Sequence, residues 1–302
     1  MRNRLLLGPI LIALLIAGLA LDQWLPTQSL PAPILGHTHW PPGVIVFIVI
    51  ALAAIIGSRE LAAILSANNV LASKRIMTFA SLLGVLSGCF VAADIPGHVG
   101  AASVSTAAVV VLIVALVFYS RHKTVEGVVA ATGGALLSFV YLGLMFGFLL
   151  AIRREHSSWV LLWVVLVTKA CDIGAFFTGK AVGRRKLIPW LSPGKTWEGL
   201  VGGVVLSAGV CVAGAWAIRH WTGATVPAPG WLMAMGVLIA ITGQAGDLLE
   251  SLFKRDAGMK DSGRSLPGFG GVLDLIDSPL LVGPAAYWML RAFTGQGMLV
   301  EP

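Results

Sequence analysis

The chain has 302 residues, of which 57% are hydrophobic and only 12% charged, and its net charge is +7. Soluble domains carry about 25% charged residues, so a water-soluble fold of this size would lack the polar groups to cover its surface; the mean hydropathy is +0.88. The positive balance does not point to nucleic acid, because no basic helix interleaved with aromatics occurs; basic cytoplasmic loops and an anionic lipid or substrate explain it.

A helix needs about 20 apolar residues to cross the hydrocarbon of a bilayer. Stretches that meet or approach this length lie at 5–21, 43–57, 77–93, 104–119, 127–152, 159–177, 200–218, 231–249 and 272–290, separated by Pro- and Gly-bearing turns such as 26–42 and 226–230. This predicts an all-α, polytopic transmembrane helical bundle of about nine spans. The first run follows Arg2 and Arg4 and holds Gly18 and Ala20, small residues of the kind found at a signal cleavage site. It is long for a signal peptide and further spans follow, so it is expected to be retained. Cys89, Cys171 and Cys211 all sit in apolar runs without metal-site or disulfide spacing, and are read as small buried hydrophobes.

Loop charges set the orientation. With the N-terminus in the cytoplasm, Arg2, Arg4, Arg59, Lys74, Arg75, Arg121 and Lys123 lie inside. So do two clusters, Lys180/Arg184/Arg185/Lys186/Lys195 and Lys254/Arg255/Lys260/Arg264, while only Arg153, Arg154, Arg219 and Arg291 fall outside. That bias fits the positive-inside rule and faces both basic clusters towards cytosolic nucleotides. The acids are lopsided: the first 150 residues hold only Asp22, Glu60, Asp94 and Glu126, and the rest hold ten. This asymmetry disfavours an inverted-repeat transporter. It predicts an N-terminal transmembrane bundle at 1–155 and a C-terminal transmembrane catalytic region at 156–302.

Charges inside spans are costly and point to function. Lys169 and Asp172 are three apart in the sixth span, on one helical face, where they can form an ion pair. The stretch from Asp172 through Gly179, Lys180 and Gly183 to Arg184, Arg185 and Lys186 combines small residues with cations and suits a phosphate. Gly194-Lys195-Thr196 is not a P-loop: the required first glycine falls at Pro189, and no apolar strand precedes it. A Ser192/Lys195/Thr196 cluster starting a span, with Glu198 in its first turn, remains; helix-start amides and Lys195 can hold phosphate oxygens there. Asp247 and Glu250 share a helix face, as do Asp274 and Asp277, and the pairs bracket a loop bearing Lys254, Arg255, Lys260, Asp261 and Arg264. Four carboxylates in such an arrangement call for a cation, and Mg2+ takes one or two carboxylates with substrate phosphates completing its shell.

These motifs resemble the phosphatidate cytidylyltransferases, also called CDP-diacylglycerol synthases. The family signature Ser-x-x-Lys-Arg, Lys-Asp, Pro-Gly-His-Gly-Gly, Asp-Arg-x-Asp reads here Ser251-Leu-Phe-Lys254-Arg255, Lys260-Asp261, Pro267-Gly-Phe-Gly-Gly271 and Asp274-Leu-Ile-Asp277. Gly246 to Ser251, Ser192 to Gly199 and Asp172 to Gly179 match further family motifs, so the resemblance covers residues 163–277. It implies an enzyme of phospholipid biosynthesis that converts CTP and phosphatidate, in contact with bilayer lipids, to CDP-diacylglycerol and pyrophosphate. It also implies Mg2+, with or without a second cation, and a homodimer. The residues matching the family's metal ligands are Asp247 and Asp274, followed by Asp277; Lys195, Lys254 and Arg255 match phosphate contacts. By the same resemblance, Asp247, Asp274, Lys254 and Lys195 are the catalytic set. Ser192 and Thr196 are hydrogen-bonding partners, Asp172 contacts the nucleotide or supports a group that does, and Glu198, Glu250, Ser251, Lys260 and Asp261 line the substrate site. Three positions depart from the pattern: Phe269 replaces the histidine, Leu275 the arginine and Gly194 a lysine. The phosphate field is weakened accordingly, and no role resting on that histidine carries over. CDP-archaeol synthases, CTP-dependent polyprenol kinases and a non-catalytic lipid-binding descendant remain neighbouring readings.

Overall fold

The structure, a computed structural model, describes residues 2–34, 37–90, 96–121, 125–266, 268 and 270–294; Asp94, Lys123, Pro267 and Phe269 lie outside the described residues. Helix α1 (Arg2–Trp24) leads to a small antiparallel hairpin, β1 (Ser29–Ile34) with β2 (His37–His39). Then come α2 (Val44–Ala67), α3 (Lys74–Gly88), α4 (Gly97–Ser120) and α5 (Val128–Ser138), the last continuing through a π-helical segment, Phe139–Leu144, into α6 (Met145–Glu155). After α7 (Ser158–Val182), a second antiparallel hairpin, β3 (Lys186–Ile188) with β4 (Ser192–Thr196), precedes α8 (Trp197–Thr222), α9 (Pro229–Asp256) and α10 (Leu273–Thr294).

Each apolar run of the sequence overlaps a helix, and the molecule is an all-α polytopic membrane protein. Among the described residues, seven helical rods are long and apolar enough to cross a membrane: α1, α2, α4, α5–α6 taken as one, α7, α8 and α9. The two runs that fall short do so for different reasons. Helix α3 has 15 residues, which at 1.5 Å per residue is about 22 Å against a hydrocarbon thickness of about 30 Å. Helix α10 carries Asp274 in its first turn and Pro279 and Pro284 inside it.

The chain forms two compact units, one of residues 1–158 and 256–275, the other of 159–255 and 276–302. In the first, α3 packs directly on the π-helical segment and α6 through glycines. A β-carbon on Gly84 would lie 2.7 Å from the Cα of Gly143, and one on Gly147 2.8 Å from the Cα of Gly88. Backbones in contact at two points one turn apart are the small-xxx-small packing of membrane helices, where dispersion replaces a hydrophobic driving force. Gly143→Leu forces these backbones apart. The expected cost is about 3 kcal/mol, read as a lowered thermal midpoint in detergent.

A buried ion pair ties helix ends of this unit together. Asp22, 1% exposed, pairs with Arg153, 4% exposed. Its Oδ1 accepts hydrogen bonds from the Ile45 and Val46 amides in the first turn of α2, at 2.8 and 3.2 Å, where a helix dipole favours an anion. The Arg153 guanidinium also donates to the carbonyls of Asp22 and His156, both at 2.9 Å. The Ser158 amide donates to Gln23 Oε1 at 2.9 Å. The ends of α1 and α6 and the starts of α2 and α7 thus share one polar node. Burial pushes the His156 imidazole down to about 4. The unfolded chain protonates through about 6.5 and the folded chain only near 4, so stability is present above that window and is lost as pH falls through it. Thermal unfolding in detergent is expected to show a midpoint that drops between pH 6.5 and 4, with a smaller drop in His156→Gln.

Candidate active site

In the second unit the chemistry-bearing residues lie in the middle and C-terminal half of α7, ahead of α8, in the last third of α9 and at the start of α10. Lys169 Nζ lies 3.3 Å from Asp172 Oδ2 on α7. The segment Ser192–Thr196, which the sequence suggested as a helix entry, is strand β4 of a hairpin instead. The helix starts at Trp197, with the Thr196 side chain accepting the Gly199 amide at 3.0 Å as its cap. Glu198 is occupied by the preceding loop: its carboxylate accepts the Arg184 amide at 3.1 Å and the Arg185 amide at 3.1 and 3.2 Å. The hairpin carries Lys195 to 2.7 Å from Asp247 Oδ2.

Helix α9 presents Asp247, Glu250, Ser251 and Lys254 at the i, i+3, i+4, i+7 positions of one face. Ser251 Oγ approaches Asp247 Oδ1 at 3.5 Å, and Lys254 pairs with Glu250, whose side chain is 1% exposed. Gly246 allows α10 to reach this face: a β-carbon there would lie 2.5 Å from the Asp277 carbonyl oxygen. Buried Asp277 accepts the Ser278 amide at 2.6 Å. Asp247, Glu250 and Asp277 each bring a carboxylate oxygen within 4.8 Å of the other two. The donors are hard oxygens on three helical positions, the ligand type that Mg2+ or Ca2+ requires. The sequence paired Asp247 with Glu250 and Asp274 with Asp277 by helix face; of these four, the carboxylate trio takes one full pair and half of the other.

Asp274 belongs to the first unit. Its Oδ2 accepts three hydrogen bonds, from the Ser262 amide at 3.0 Å, Ser262 Oγ at 2.9 Å and the Gly271 amide at 2.8 Å. Beside it is a residue that sequence reasoning passed over, Glu60 of α2. Glu60 is 6% exposed and accepts from Ser265 Oγ at 2.5 Å, Ser262 Oγ at 3.3 Å and the Val272 and Leu273 amides at 3.0 and 2.9 Å. It therefore caps α10 from another helix and holds the loop that bears Lys260, Asp261 and Arg264, all exposed. The signal was available: a lone acid in the last third of a 24-residue apolar helix is expensive unless something meets it. Arg255 is exposed at the end of α9, Ser192 is half-buried and Thr196 is buried.

The cytidylyltransferase family matches residues 27–293. The chain belongs to that family. Among its relatives, the phosphatidate cytidylyltransferase of Bacillus subtilis (strain 168) is 37% identical over 165 residues, 54% of this chain and 59% of the relative. That of Haemophilus influenzae is 42% identical over 127 residues, 41% of this chain and 42% of the relative. That of Helicobacter pylori is 40% identical over 148 residues, 48% of this chain and 52% of the relative. The chain spans about half the length of the curated relatives it matches.

In this cytidylyltransferase-family protein, the role of Glu60 is open to direct test. Glu60→Ala removes the acceptor of four donors, two of them amides at a buried helix start. The expected loss is about 3 kcal/mol. Limited trypsin digestion in detergent should then cut the variant at Lys260 and Arg264 faster than the parent protein, because the loop is no longer held.

Proposed function

We propose that this protein is a phosphatidate cytidylyltransferase of the cytoplasmic membrane, making CDP-diacylglycerol and pyrophosphate from CTP and phosphatidate. The observation that carries the reading is the trio Asp247, Glu250 and Asp277, with one ligand atom of each within 4.8 Å of the others, and Lys195 set against its edge. The names of the relatives point to the same reaction. The lysine-rich segments flanking the trio favour a cytoplasmic active site and N-terminus. The pairing of Arg153 with Asp22 supports this orientation, since it neutralises one of the few cations assigned to the far side.

In the reaction, a phosphate oxygen of phosphatidate attacks the α-phosphorus of CTP. A new phosphorus–oxygen bond forms, the bond to the oxygen bridging the α- and β-phosphorus breaks, and its electron pair leaves with pyrophosphate. Both reactants are anions, so the protein's task is to bring them together and to counter their charge. The donors of Asp247, Glu250 and Asp277 fit Mg2+, which would supply concentrated positive charge to the phosphate oxygens. Lys195, paired with Asp247, adds a cation beside the nucleotide phosphates, and Lys254 holds Glu250 in place. Arg255, Lys260 and Arg264 draw in the triphosphate from the cytosol. Asp274, with three donors on one oxygen, braces the loop that carries two of these cations. Ser192 and Thr196 lie next to Lys195 as nucleotide-side groups, and Asp172 supports the site through its pair with Lys169.

The test is purified protein in detergent with CTP, phosphatidate and Mg2+, with both products followed. CDP-diacylglycerol and pyrophosphate are expected in equal amounts, and EDTA should abolish both. Release of CDP in place of pyrophosphate would show a kinase, and no product from the parent protein would end the reading. Asp247→Asn and Asp277→Asn should each lower kcat at least about 100-fold, while circular dichroism stays that of the parent.

A further inference from the structure

We propose that Lys169 binds the phosphate of the lipid substrate and marks the place where that lipid enters from the bilayer. The proposal deepens the cytidylyltransferase reading and rests on it. Lys169 lies near the middle of the 25-residue helix α7, about 20 Å along the helix from its Val182 end at 1.5 Å per residue. A charge at that depth costs several kcal/mol unless it is paired or hydrated. It is paired with Asp172, but the pair is not closed off: both side chains are 36% exposed. Among the described residues, two other ion pairs of the spans are covered, while Lys195 and Asp247 at the carboxylate trio stand between, 18% and 33% exposed. Arg153 and Asp22 are 5% and 0% exposed, and Lys254 and Glu250 are 11% and 1% exposed. Those pairs are sealed as structure seals them, whereas Lys169 keeps part of its charge open.

What surrounds it identifies the occupant. Leu166, Ile173 and Phe176 lie at i−3, i+4 and i+7 from Lys169, on the same stripe of α7, and are 52%, 52% and 63% exposed. On its other side Lys169 adjoins Asp172, and the residues next to Lys169 and to Asp277, Thr168 and Ser278, both lie within 4 Å of a β-carbon placed on Gly243 of α9. One cation therefore sits between an uncovered apolar stripe and the carboxylates. An anionic lipid has that distribution, with acyl chains to lie along Leu166, Ile173 and Phe176 and a phosphate to meet the lysine. A free nucleotide has no use for the apolar stripe. Lysine at this point also gives the lipid phosphate a counter-charge before it nears Asp247 and Asp277, which would otherwise repel it.

The experiment compares the full-length parent with Lys169→Met, Lys169→Arg and Lys169→Met/Asp172→Asn in nanodiscs, measuring KM for phosphatidate and for CTP separately. Lys169→Met is expected to raise the phosphatidate KM about tenfold or more with the CTP KM within about twofold. Lys169→Arg should retain most of the affinity. The double variant should keep the high phosphatidate KM. Recovery in the double variant would mean that the defect came from leaving Asp172 unpaired, and would overturn the proposal. So would an unchanged phosphatidate KM, or a defect confined to CTP. Binding of dioctanoyl phosphatidate, with dioctanoylglycerol as the uncharged control, is measured alongside. If the parent turns over nothing yet binds the phosphatidate through Lys169, the cytidylyltransferase reading falls and the lipid site stands; equal binding by parent and Lys169→Met removes the lipid site.

Discussion

A carboxylate inside an apolar helical bundle has to be met by donors or cations, because the ionised group loses its water and gains nothing from hydrocarbon. In this protein that requirement is answered in two ways, and the difference separates scaffold from site. Asp22 and Glu60 are met by fixed partners: backbone amides at helix starts, neighbouring hydroxyls and, for Asp22, a buried arginine. Each anion sits where the unpaired amides of another helix need an acceptor. One group thereby satisfies two deficits, and the helices concerned are fixed end to end within the first unit.

The second unit handles its acids by crowding them. Asp247, Glu250 and Asp277 approach one another closely enough to share a ligand, and the lysines supplied to them come from different elements, Lys195 from a hairpin and Lys254 from the same helix. Like charges gathered in a medium of low polarity repel strongly. Such a group is stable only where cations compensate it, which is why the carboxylates and lysines occur together. Gly246 makes the crowding possible, since any side chain there would collide with the backbone of α10 at Asp277. The site is thus set by a close helix contact as much as by its charged residues.

Much of this was legible in the sequence. Hydropathy located the described helices α1–α10, and the spacing of Asp247 and Glu250 placed them on one face. What stayed hidden depended on contacts between distant segments. Glu60 is more than 200 residues from the loop it holds, and periodicity in α2 shows only that an acid is present, not what meets it. The hairpin at Lys186–Thr196 was obscured because Ser192-Pro-Gly-Lys-Thr also reads as a helix cap, and only pairing with β3 decides between strand and helix. Asp274 and Asp277 are three apart on one helix, so spacing treats them as equivalent. Their partners do not: Asp274 takes three donors from its own loop, while Asp277 lies against α9.

Departures from the family pattern bear on function through the same electrostatics. Gly194, Leu275 and Phe269 remove three polar positions that the pattern supplies, yet the carboxylates and the lysines paired with them are present. Charge in such a site acts collectively, because each cation lowers the cost of every nearby anion, and a lysine contributed from another helix compensates about as well as one from the usual position if its distance is similar. Lys169 is such a contribution. It enters from α7, in the middle of a span, pairs with Asp172, and follows Thr168, which packs against Gly243 of α9 as Ser278 does. Compensation through space rather than along the sequence explains how a motif can lose cations and the region keep its electrostatic character. It also means that the absence of a motif lysine, taken alone, is weak grounds for calling a chain of this kind inactive.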